Sequence, residues 1–385
     1  MKIKLGDICK FQSGGTPSRA NVEYFNGNIP WITTAVLSGG IIDKESAVEW
    51  ITNKAINDSA AKIVPANSIM VGTRVGVGKV AINAIDMSTN QDIISLINID
   101  ETKWNKEYLC KFIQGKSIYL NSQARGATIK GIKIDVLSGL ELPEISIEEQ
   151  YRVSRILDTV KKILDSRNIE LQKLDNLVNA RFVEMFGDEN NSKKWDIVNV
   201  EEVADVQVGV VIKPSQYYTK EKNGIRAFRS LNIGEGSIKD SDWVYFTEEG
   251  HQKNSKSILK ENDLLIVRSG APGTACVVTK EYEGCNAIDI IIAHPDCEKV
   301  NPYYLCSFTN MPHGKKQIDE GTGGAAQQHF NVGKYNKLQL MLPPKKLQDE
   351  FVEFIHQVAK SKVAVQKALD EAQLLFDSLM QQYFG

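Results

Sequence analysis

The sequence has few of the residues that metal sites, disulfide frameworks and membrane anchors need. Of 385 residues only six are cysteine, Cys9, Cys110, Cys276, Cys285, Cys297 and Cys306, and no two form a C-x-x-C pair. That spacing excludes the common zinc patterns and a disulfide scaffold, and points to buried free thiols in a reducing compartment. The five histidines, His251, His294, His313, His329 and His356, have no acidic or cysteine partner at a ligand or triad spacing. No stretch approaches the ~20 apolar residues of a membrane span, and the first residues carry no secretory pattern, so a cytoplasmic protein is expected. Net charge is also small: 46 basic against 48 acidic residues leave −2. Taken alone, this argues against a nucleic-acid binder, whose usual mark is a basic footprint.

What the sequence does contain is itself, twice. Asn105-Lys106-Glu107-Tyr108-Leu109-Cys110-Lys111-Phe112 recurs as Asn301-Pro302-Tyr303-Tyr304-Leu305-Cys306-Ser307-Phe308. Ile63 to Met70 recurs as Ile258 to Leu265, and Leu140-Glu141-Leu142-Pro143 as Leu340-Met341-Leu342-Pro343. Each half ends in Phe-Gly, at Phe186-Gly187 and Phe384-Gly385. The repeated positions are apolar or structural, while the polar residues between them diverge. Two copies of one fold with different surfaces suit recognition better than shared chemistry.

Each half closes with a run free of proline and glycine. In the first, Leu157, Leu164, Leu171, Val178 and Met185 recur every seventh residue, with Val153, Val160, Arg167, Leu174 and Arg181 as companions. In the second, Ile355, Lys362, Leu369, Phe376 and Tyr383 stand with Phe351, Val358, Val365, Ala372 and Leu379. These are heptad stripes, and they predict two helices of ~40 residues that pair through Leu157, Leu164, Leu171, Val178, Ile355, Leu369 and Phe376. The duplication predicts pseudo-two-fold symmetry with the two helices antiparallel. The globular copies read as α+β: short β-rich runs between glycine- and asparagine-rich turns, and one helix each, starting at Asn105 and Asn301.

Two motifs invite catalytic readings and fail. Ahead of Gly78-Lys79 a phosphate loop needs glycine at 73 and Ser or Thr at 80, where the chain has Thr73 and Val80. Asn301-Pro302-Tyr303-Tyr304 is close to a methyltransferase box, but its counterpart Asn105-Lys106-Glu107-Tyr108 shows the shared element to be a capped helix start. Charge is unevenly spread: residues 1–143 carry +3, 144–187 −1, 188–343 −3 and 344–385 −1. Lys103 to Lys133 holds seven basic residues against Glu107 alone, which predicts a phosphate-tracking face. Lys315, Lys316, Lys334 and Lys337 suggest a smaller one in the second copy.

The order of globular domain, long helix, diverged copy and second long helix resembles the specificity subunit of a type I restriction–modification enzyme. The domain starts (Lys4-Leu5-Gly6-Asp7-Ile8; Val200-Glu201-Glu202-Val203) and the Leu-x-Leu-Pro elements before each Glu/Gln-rich helix carry the likeness over the whole chain. The second helix start departs in reading Leu347-Gln348-Asp349-Glu350 where the family tends to have Glu-Gln. The resemblance implies a first target-recognition domain at 1–145, a central helix at 146–187, a second recognition domain at 188–345 and a C-terminal helix at 346–385. Each domain would read one half of a bipartite duplex DNA target. The helices would set the spacer and dock two methyltransferase subunits, with two restriction (motor–nuclease) subunits joining. The chain itself would be non-catalytic and hold no metal, with S-adenosylmethionine, ATP and Mg only on its partners. Loop position nominates Arg74, Arg125, Arg229, Arg268, Gln327 and Gln328 for base edges, and Lys79, Lys130, Lys213 and Lys334 for phosphates. The alternatives are a self-contained DNA adenine methyltransferase, marked by S-adenosylmethionine binding to the isolated chain, and a coiled-coil adaptor without DNA specificity.

Overall fold

A computed structural model of the chain describes residues 1–47, 49–126, 130–221, 224–322 and 330–385. Two compact units emerge, one from Met1–Asn168 with Lys367–Gly385, the other from Ile169–Gln366. Both long helices form, over Ile147–Phe186 and Lys345–Phe384. Each therefore starts in one unit and ends in the other.

The first unit is built on a five-stranded sheet in the order Lys10–Ser13, Ile93–Ile97, Ile69–Gly72, Val80–Asn83, Ile41–Ile42. The second has the matching order Ala204–Val208, Ile290–Pro295, Leu264–Val267, Ala275–Val277. A second, four-stranded sheet accompanies each. Both copies are closed in the same way: Lys2–Lys4 pairs antiparallel with Glu141–Pro143, and Ile197–Asn199 with Gln339–Met341. The Leu-x-Leu-Pro elements are thus closing strands.

The central hairpins share their turn chemistry. Gly76, Gly78, Gly270 and Gly273 all have positive φ, at +70°, +83°, +86° and +83°. A Cβ on Gly273 would also lie 2.6 Å from Ile318 Cδ1, so the hairpin packs where a side chain would not fit.

The capped helices form over Lys106–Gly115 and Pro302–Asn310, with the Asn105 side chain accepting from Tyr108 N and Asn301 from Tyr303 N. A glutamine at the start of each long helix ties down the same turn. Gln150 Oε1 accepts from Asn105 N at 2.8 Å while its Nε2 donates to the Lys103 and Ile145 carbonyls. Gln348 does the same with Asn301 N at 2.8 Å and the Lys299 and Pro343 carbonyls. Both glutamines are fully buried. The departure at Leu347 therefore leaves the structural glutamine in place. Gln150→Leu strands a buried amide and carbonyls, and is expected to cost about 2–4 kcal/mol, read from the denaturant midpoint; an unchanged midpoint would remove the glutamine from this role.

The heptad stripe is the buried face of both helices. In the first unit Val153 and Leu157 share a core with Phe384, and Phe376, Leu379, Met380 and Tyr383 pack against it. In the second, Phe182 and Phe186 share a core with Phe351 and Val352, with Val178, Met185 and Ile355 alongside. The start of each helix meets the end of the other, so they run antiparallel. Leu164, Leu171 and Leu369 are half-buried on the same stripe. The polar intrusions are accommodated: Lys362 pairs with Asp175, and the Arg181 guanidinium lies 5.8 Å from the Phe354 ring centre.

Candidate nucleic-acid interface

In the first unit the loops at one end of the central sheet converge. Thr73 N donates to Asp92 O (2.8 Å), Ile132 N to Thr73 O (2.8 Å), and Arg125 and Gly131 exchange backbone bonds at 3.0 Å. Gly14 and Gly15 bond to Ile93 O and Thr89 O. The hairpin 73–79, the turn 90–92 and the residues flanking 127–129 therefore form one polar cluster. A Cβ on Gly131 would lie 2.7 Å from Arg74 Cγ, so the arginine stem crosses that glycine. Arg74, Arg125 and Lys130 are brought together and exposed. Arg74 reaches Asp92 at 3.6 Å and keeps 52% of its side chain in solvent. Lys79 is exposed on the same hairpin, but its stem folds over Gly76. It borders a groove of about 970 Å³ walled by Lys111, Asp158 and Phe376.

The basic run between Lys103 and Lys133 resolves into two parts. Lys103, Lys106 and Lys111 pair with Asp100, Glu101 and Asp158, and Lys116 donates to the Phe384 carbonyl. Those acids lie outside the sequence window, so counting within it overstated the charge. Arg125, Lys130 and Lys133 remain exposed at the loop end. In the second copy, likewise, Lys315 and Lys316 are spent on Glu235 and Glu189.

In the second unit the corresponding loops are stitched by Gly209 N to Ile290 O (2.9 Å), Val210 N to Ala287 O (2.8 Å), Asp289 N to Val210 O (3.1 Å) and Phe330 N to Arg268 O (3.0 Å). Lys213 is exposed at the edge of this cluster in a left-handed conformation, φ +43°. Arg268 is held inside it, its Nε donating to Phe330 O and its NH1 paired with Asp289. Ile288 N donates to Phe228 O, which places the Arg229 backbone nearby, but the Arg229 guanidinium is turned to the Asp242 carbonyl. Lys334 is exposed on the short helix Val332–Asn336, capped by Asn331. Gln327 and Gln328 lie outside the described residues.

One sequence expectation is corrected. The polar residues of the copies do not wholly diverge, since Asp92 and Asp289 both precede an inner strand and both pair with a hairpin arginine. The fold also brings His294 an acid that sequence spacing does not show, its Nδ1 lying 2.6 Å from Asp263 Oδ1, while His251 bonds the Asn286 amide. Antiparallel pairing of Leu264 with Ala293 creates the first contact, which sequence spacing could not reveal. Gln207 Nε2 closes the other ring nitrogen of His294 at 2.7 Å, so the pair is a packed strut.

All six cysteines are free, but not all are buried: Cys297 is exposed and Cys9 half-buried. Burial pushes the Cys110 and Cys306 thiols up to about 12 and Cys285 to about 11. At pH 8 these thiols stay protonated, so one alkylation, at Cys297, is expected in the native protein by mass spectrometry; rapid labelling at Cys110 or Cys306 would contradict that burial. Among the described residues no group of three His, Cys, Asp or Glu side chains could hold a metal ion. No helix is long and apolar enough to cross a membrane, again among those residues.

Comparison with known proteins is consistent with the duplication. The family described as Type I restriction modification DNA specificity domain matches residues 1–176 and again 192–372. The type I restriction enzyme MjaIX specificity subunit of Methanocaldococcus jannaschii is 22% identical, over 98% of this chain and 90% of the relative. A solved S subunit of a type I restriction–modification system from M. genitalium, 14% identical, superposes over 100% of this chain and 96% of its own with a TM-score of 0.57. A chain from a structure addressing complex assembly and conformational transition of a type I R-M system reaches 0.66, at 15% identity over 100% and 97% of the two chains. Twice matched by one family and alike in fold over its full length, the chain belongs to the type I restriction–modification DNA specificity family.

Proposed function

We propose that this protein is the DNA-recognition subunit of a type I restriction–modification complex, each unit reading one half of a bipartite duplex target. The observation that carries this is the coincidence of two family matches with two units that each gather polar loops at one end of a central sheet. Arg74, Arg125 and Lys130 supply donors for guanine edges and phosphates in the first unit. The long helices set the separation of the half-sites and dock methyltransferase subunits, two in number, with two restriction subunits completing the assembly. Exposed Ile169, Leu177 and Val183 on the first helix, 46–51% accessible, support a docking role. Methyl transfer and cleavage, with S-adenosylmethionine, ATP and Mg, belong to those partners, and the chain works in the cytoplasm without catalysing a step. Neither a stand-alone methyltransferase nor a DNA-blind adaptor finds support among the relatives.

Genome-wide mapping of methylated adenines in cells carrying this chain and its modification partner tests the reading. A two-part motif with an unspecified spacer is expected. Deleting one heptad from both helices should change the spacer length or abolish assembly, and full activity on the original spacer would refute the ruler.

A further inference from the structure

Each unit pairs an aspartate at one shared position with a hairpin arginine, Arg74 two residues past Gly72 and Arg268 one past Val267, and the units expose opposite halves of the pair. Asp92 immediately precedes Ile93, which pairs with Gly72; Asp289 immediately precedes Ile290, which pairs with Val267. The hairpins that follow close alike, Gly72 N donating to Lys79 O at 2.8 Å and Val267 N to Thr274 O at 2.9 Å. The two aspartates thus occupy one structural position, each facing an arginine from the hairpin. In the first unit the arginine is open and the carboxylate covered: the side chain of Arg74 is 52% exposed, that of Asp92 18%. In the second unit the order is reversed, with Arg268 at 17% and Asp289 at 41%.

We propose that Asp289 is a base-reading residue of the second unit, presented by Arg268 and directed at an amino group on a base edge, whereas in the first unit Asp92 presents Arg74. This rests on the function proposed above. Asp92 is fixed by Asn90 Nδ2 on Oδ2 (3.1 Å) and by the Asn90 side chain on its own N–H. It holds a guanidinium whose donors match guanine O6 and N7. Arg268, by contrast, spends Nε on the Phe330 carbonyl and NH1 on Asp289 Oδ1, so its fork faces inward. It is a positioning residue. Asp289 is held from both sides, by that arginine and by its own N–H on Val210 O, with φ at +50°, a region that aspartate tolerates and most side chains avoid. Among the described residues Oδ1 takes the ion pair, and Oδ2 is left to accept from outside. An ionised carboxylate offers only acceptors. The donors in the major groove are cytosine N4 and adenine N6. A carboxylate at this loop surface would otherwise repel phosphates, and Arg268 offsets that charge.

The test is methylation by the assembled complex on duplexes in which every base pair of both half-sites is varied. With Asp289→Asn, discrimination at one base pair of one half-site should fall about tenfold or more. The other half-site and the melting temperature should not change. Arg268→Gln should loosen the same base pair, a coincidence that a merely structural role would not produce. Unchanged preference at every base pair in Asp289→Asn, or a uniform loss across both half-sites, would overturn the assignment. A wild-type complex without any sequence preference would overturn the proposed function, and this inference with it.

Discussion

Phe384→Ala is expected to destabilise the unit formed by Met1–Asn168 and Lys367–Gly385 by about 3–5 kcal/mol, the cost of a large aromatic cavity in a closed core. Phe384 is 3% exposed, with its ring centre 5.2 Å from Tyr108 and 5.9 Å from Phe112. It joins the last turn of the C-terminal helix to a motif some 270 residues earlier in the chain. The surrounding side chains come from the capped helix, the sheet and the first long helix, so the site has little freedom to collapse. At about 2–4 °C per kcal/mol for a unit of this size, the melting point should fall by about 10 °C. Hydrogen exchange should place the loosening at Lys106–Gly115. Leu375→Ala, on the same helix but 50% exposed, should stay within about 0.5 kcal/mol. Equal losses in the two variants would show that the terminal phenylalanine is not a keystone. The internal counterpart, Phe186, stands 4.8 Å from Tyr304 and predicts the same cost in the second unit.

The fold was legible because the duplication doubled every weak signal. Asn105 and Asn301 marked helix starts, heptads marked the long helices, and Leu-x-Leu-Pro marked the closing strands. The hairpin glycines also revealed turns at equivalent places. What sequence could not supply was the side-chain partner. Lys106 and Lys111 counted as free cations until Glu101 and Asp158 met them. Arg268 looked like a reader by its loop, yet the antiparallel register sets Asp289 against it and Phe330 behind it. Asp289 itself carried no signal, because a lone aspartate inside an apolar, β-rich run gives no hint of its partner. A comparison of the two copies at the residue before the inner strand, Asp92 against Asp289, could have found it.

Arg74→Ala should relax one base pair of a single half-site and leave the rest of the target intact. The side chain is anchored at its stem by Gly131 and at its fork by Asp92, yet half of it is open. Such an arrangement keeps the rotamer cost of binding low, so most of a bidentate guanine contact appears as discrimination, about 1–3 kcal/mol or roughly 5- to 150-fold. Lys130→Ala, at the exposed residue next to the same glycine, should behave differently. A phosphate contact weakens all sequences alike and lowers the salt slope by about one. Affinities of the assembled complex for targets varied at each position, measured at two salt concentrations, separate these outcomes. If Arg74→Ala lowered affinity uniformly and shifted only the salt slope, the arginine would be a phosphate clamp. Asp92 would then hold it for charge placement, without a part in sequence readout.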